Sequence, residues 1–95
     1  VDDAGIDALR EAIRNMHGAE SEWIESVPVS EGFRGTPVWQ GEVQVFRLLN
    51  HSTADRCYAW SHETEGGKRR FVAVLHVPPV DSPVAAVRAS IAASK

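Results

Sequence analysis

Cys57 and His76 are the two residues whose types and spacing come nearest to a reaction, because a thiolate beside an imidazole is a common nucleophilic pair. Gly66-Gly67 lies between two runs of strand-forming residues, 56–65 and 68–77, where a two-residue turn with positive φ at both glycines would close a long β-hairpin. Counting outward from that turn, Glu65 faces Lys68, Thr64 faces Arg69, Glu63 faces Arg70 and Cys57 faces His76. The competing reading of Cys57 is a small buried apolar side chain. A looser set, His51, Asp55 and His62, surrounds the connection before the hairpin but lacks the spacing of a metal site. The chain has no nucleophile elbow, no glycine-rich phosphate loop and no paired-carboxylate motif. The sequence therefore calls for no metal and no cofactor and favours a non-enzymatic domain, with an enzyme built on Cys57 and His76 as an alternative.

The same register sorts the hairpin into two faces. Tyr58, Trp60, His62, Phe71, Ala73 and Leu75 share one, and Cys57, Ala59, Ser61, Val72, Val74 and His76 share the other. The second has the small side chains that let helices approach, which would leave the aromatic face outward. An apolar patch of that size calls for a partner. Tyr58, Trp60, His62, Phe71 and Leu75 are thus the expected interaction surface, occupied by a second copy of the chain or by another protein. The opposite assignment makes the aromatics core. In a third reading Tyr58, Trp60 and Phe71 stack on nucleic-acid bases while Lys68, Arg69 and Arg70 hold phosphates. A net charge of -3 and a pI near 5.7 weigh against nucleic acid and against an anionic membrane surface. The basic run also reads simply as a soluble hairpin tip paired with Glu63 and Glu65.

The elements that must position these residues follow from periodicity. Asp2 or Asp3 caps a helix with Ile6, Leu9, Ile13 and Met16 on one stripe, and Gly18 ends it. Residues 22–29 alternate as a first strand that, because Pro28 cannot donate to a ladder, should lie at an edge or stop there. Residues 30–37 are rich in turn formers and read as a loop carrying Phe33, and 38–49 form a second strand. After the hairpin, Pro78-Pro79 stops the last strand, and Ser82 caps a helix with Pro83 at its first position and Val84, Val87 and Ile91 on its stripe.

The order α-β-β-β-β-α predicts an α+β domain: a two-layer sandwich with a four-stranded antiparallel sheet and both helices on one face. Leu9, Ile13, Val43, Val45, Val72, Val74, Val87 and Ile91 would then form one core. Ninety-five residues make a single domain, 1–95, large enough to fold without disulfides, as the single cysteine requires. No apolar run approaches the ~20 residues of a membrane span, so a soluble, cytoplasmic protein is the default expectation.

Overall fold

The computed structural model describes residues 3–33, 35–63 and 66–93. In chain order these form α1 (Asp3–His17), β1 (Ser21–Phe33), β2 (Thr36–Leu48), β3 (Arg56–Glu63), β4 (Arg69–Leu75) and α2 (Pro83–Ala93). The strands lie side by side in the order β1-β2-β3-β4, all antiparallel. The α+β class, the four-stranded meander and the helix at each end are as the sequence led us to expect.

Local chemistry accounts for the helix ends. Gly18 takes a φ of 67° and its N–H donates to the Arg14 carbonyl at 2.9 Å, a left-handed stop that glycine adopts without a Cβ penalty. The Asp2 cap lies outside the described residues. At α2, Ser82 Oγ accepts from the Ala85 N–H at 3.2 Å, satisfying one of the first turn's donors, and Pro83 opens the helix.

The first hairpin is longer than its sequence implies. Residues 30–33 extend the first strand and 36–37 the second, with Ser30 opposite Gln40 and Glu31 opposite Trp39. The turn formers are absorbed by an irregularity between Glu31 and Gly32 and by a left-handed Gly35 at φ 76°. The Phe33 side chain lies outside the described residues.

In the second hairpin Gly66 and Gly67 do take positive φ, 87° and 78°. The register nevertheless differs from the expected one by a residue. The last pair is Glu63↔Arg69, followed inward by Trp60↔Val72 and Cys57↔Leu75, so the register is centred on Gly66 and not between Gly66 and Gly67, as a two-residue turn would require. The expected pairs of Thr64 and Glu65 lie outside the described residues.

Because side chains alternate, a one-residue slip on β4 exchanges its faces. Phe71, Ala73 and Leu75 now share a face with Cys57 and Ala59, and Val72 and Val74 share one with Tyr58 and Trp60. Each face is covered by its own helix, which corrects the expectation that both lie together. Leu9 and Ile13 of α1 pack on Phe46, Leu48, Cys57 and Ala59; Ala86 and Val87 of α2 pack on Val29, Val43, Val45, Tyr58 and Trp60. All eight expected core residues are in contact with a core, but divided between the two. Burying two apolar faces requires two covers, and the chain has one helix for each.

The two hairpins are joined over a short length. β2 pairs with β3 only from Gln44↔Ala59 to Arg47↔Arg56, after which the strands part. On the α2 face the gap is bridged by Trp39 and Trp60, whose rings meet edge to face at 5.6 Å. Gly41 makes room: a Cβ there would stand 3.3 Å from the Trp39 ring.

Candidate functional site

The expected interaction surface is not assembled. Tyr58 and Trp60 are each 3% exposed and lie beneath α2, while Phe71 and Leu75 are half-buried against the α1 cluster on the opposite face. His62 is exposed. The physical reason is the shifted register together with the second helix cover, and both ring faces that would stack on bases are inside the protein. Of the basic tip, Lys68, Arg69 and Arg70 are exposed, and Arg69 donates to Ser61 Oγ at 2.9 Å.

The Cys57–His76 pair is likewise undone. Cys57 stands opposite Leu75, is fully buried, and burial pushes its thiol up to about 12, so no thiolate forms near neutral pH. His76 serves another residue: its Nδ1 is hydrogen-bonded to the Tyr58 hydroxyl at 2.6 Å, with the rings 5.8 Å apart. Burial, with Asp81 and Asp55 nearby, holds the Tyr58 phenol above its ordinary value despite the opposing field of Arg56. His51 turns inward on its own loop, where Nδ1 accepts from the N–H groups of Thr53 and Ala54, both at 3.1 Å. Among the described residues no cluster of His, Cys, Asp or Glu could hold a metal ion.

The two sheet edges differ more than anything else on the surface. β1 carries the features that discourage pairing with another chain: Pro28, exposed Glu22 and Glu25, an irregularity between Trp23 and Glu25 and another before Gly32. β4 has none of these between Phe71 and Leu75, a run of five apolar residues in unbroken register with β3. All five are half-buried, three reaching the edge from the α1 core and Val72 and Val74 from the α2 core.

Hydrogen-bond phase decides which backbone groups that edge presents. The His76 N–H donates to the Arg56 carbonyl at 2.9 Å, continuing the β3–β4 register. Alternation then turns Val72 and Val74 toward β3, and the amides of Phe71, Ala73 and Leu75 outward. Two outward carbonyls are engaged: Ala73 accepts from His17 Nε2 at 3.0 Å and Leu75 from the Val77 N–H at 2.9 Å. The signal was present in the sequence. Phe71-Val72-Ala73-Val74-Leu75 is apolar and nearly symmetrical about Ala73, a pattern that reading by faces passed over.

Comparison of the chain with family models, with curated proteins and with solved structures finds no match in any of the three. No helix is long and apolar enough to cross a membrane among the described residues.

Proposed function

We propose that this chain is a non-enzymatic protein-interaction domain that forms a two-fold dimer by pairing β4 with β4 of a second copy, joining two four-stranded sheets into one of eight. The observation that carries this reading is the β4 edge, apolar on both faces, in unbroken register and with its amides at 71, 73 and 75 turned outward; the Ala73 and Leu75 carbonyls each already accept one hydrogen bond and keep a second lone pair for a partner strand. In an antiparallel pairing centred on Ala73, Phe71 faces Leu75 of the partner subunit, Val72 faces Val74 of the partner subunit, and Ala73 faces its own equivalent. Arg70 falls opposite His76 of the partner subunit and Arg69 opposite Val77 of the partner subunit, so the two basic tips lie apart. The three outward amides, at 71, 73 and 75, are symmetrical about the same point, which is what an isologous ladder needs. Both cores are extended at once, because each already reaches the edge half-exposed. The dimer expected from the sequence is retained in this reading, with the interface moved from the aromatic face to the edge.

Size-exclusion chromatography with light scattering over a concentration series tests it, with a mass rising from 10.4 kDa toward twice that value as the expected result. Ala73→Pro removes an outward N–H that the β3 ladder does not use, and proline is tolerated at an edge. The variant should keep its circular dichroism and lose the dimer. A strict monomer throughout, or a dimer indifferent to Ala73→Pro in a folded protein, would overturn the proposal.

A further inference from the structure

On the α1 face the gap between the hairpins opens into a cleft of about 500 Å³, lined by Gly5, Ala8 and Leu9 of α1, Glu42 and Gln44 of β2, Ser61 of β3, and Arg69 and Phe71 of β4. That volume is within the ~300–1,000 Å³ of ordinary ligand sites. We infer that this cleft binds an extended peptide segment bearing a basic side chain, a site that stands apart from the β4 edge.

Three observations select that occupant. The first is main-chain chemistry. The Leu48 N–H donates to the Asp55 carbonyl at 2.9 Å, which sets the β2–β3 phase and makes Gln44↔Ala59 a hydrogen-bonded pair. Two residues further on, the amides of Glu42 and Ser61 point toward each other across the gap, but the ladder has already ended. A chain of alternating N–H and C=O groups is the ligand that suits both strands.

The second is charge. Glu42 is exposed at the cleft and has no ion-pair partner among the described residues; the Arg69 guanidinium, still cationic, is held toward Ser61 Oγ on the β3–β4 side, which leaves Glu42 on the β2 side as the group that draws a positive charge. A lysine or arginine of the incoming segment completes Glu42, with its aliphatic stem along Leu9 and Phe71.

The third is rigidity. Gln44, buried at the floor, accepts from Trp23 Nε1 at 2.9 Å and donates to Ser26 Oγ at 3.0 Å, so it cannot swing out to fill the space. Gly5 and Ala8 keep the helix wall low, and Trp39 and Trp60 bridge the gap from the other face. The cleft is therefore preorganised, and a ligand does not have to order it.

The probe is N-acetyl-lysine N-methylamide, titrated into the ¹⁵N-labelled chain, with N-acetyl-norleucine N-methylamide as the uncharged control. The Glu42 and Ser61 amide resonances should shift saturably with the lysine compound and several-fold more weakly with norleucine. Glu42→Gln, an exposed substitution that leaves the fold intact, should abolish the difference. Ala8→Phe, which fills the cleft from the helix side, should weaken both compounds. No shift at Glu42 and Ser61, or equal shifts with both compounds that Glu42→Gln leaves unchanged, would overturn the inference.

Discussion

Trimming one side chain from each core should destabilise the domain additively, because the sheet separates the two cores. Ile13 of α1 and Val87 of α2 are both fully buried, the first against Phe46 and Cys57, the second against Val43, Val45 and Tyr58. Ile13→Val removes one carbon and should cost about 1 kcal/mol. Val87→Ala removes two, about 1.6 kcal/mol at ~0.8 kcal/mol per methylene, and the cavity left behind raises this to about 2–3 kcal/mol. A helix packs roughly 10 Å from its sheet, so residues on opposite helices lie well beyond the ~7–10 Å over which substitutions couple. The double variant should therefore lose about 3–4 kcal/mol, equal to the sum within about 0.5 kcal/mol. A domain of this size holds about 5–15 kcal/mol, so all three variants stay folded in water and can be compared by urea unfolding at constant slope. A coupling above about 1 kcal/mol would place the two residues in one core and refute the two-sided packing.

Cys57 should resist reagents that need a thiolate until the protein is unfolded, since burial raises its thiol to about 12; equal labelling rates in buffer and in denaturant would contradict that burial. Tyr58 is the single tyrosine, so its ionisation can be followed without ambiguity. Its phenol is raised, so the folded state keeps the proton longer. The linked stability is intact below the unfolded phenol's ~10 and lost as pH climbs through and beyond it; a gain in stability over that rise would give the shift the wrong sign. Trp60→Glu should unfold the chain instead of solubilising it, because it puts a carboxylate under α2 beside Val43 and Val87; a native circular dichroism spectrum would return Trp60 to the surface.

Elements set by local chemistry were legible in the sequence. The Ile6, Leu9 and Ile13 part of the helix stripe, the Gly18 stop and the Ser82-Pro83 start each depend on neighbours within one or two turns, and each is present, whereas Met16, expected on the same stripe, is 51% exposed. What depended on a single residue of register was not. Glycine at 66 and 67 fits several turn lengths, and the charge pairs that favoured Glu63 opposite Arg70 are served about as well by Arg69, one position away. That slip moved Phe71 from Trp60's face to that of Cys57, dissolving the candidate aromatic surface and the Cys57–His76 pair together. The side on which α2 lies was equally hidden, because a four-stranded sheet apolar on both faces accepts a second helix on either. Gly41 did carry a readable signal on the α2 face: a glycine within an alternating strand marks close approach, here of the Trp39 ring beside the point where the hairpins part.

Both proposed contacts border the β3–β4 hairpin, one along its outer edge and one along its inner edge beyond Ala59, and amide hydrogen exchange should map them directly. Val72 and Val74 donate across the β3–β4 ladder, so their protection should approach that of the core. Ala73, between them in sequence and similarly half-buried, donates outward and should exchange far faster in dilute protein, as should Ser61 facing the cleft. Raising the concentration should slow Ala73 and leave Ser61 unchanged, because dimerisation covers β4 and not the cleft. Adding the lysine probe should do the reverse. Protection of Ala73 equal to that of Val74 at every concentration would mean the edge is covered within one chain, by α1 acting through His17, and the basis for strand pairing would be gone.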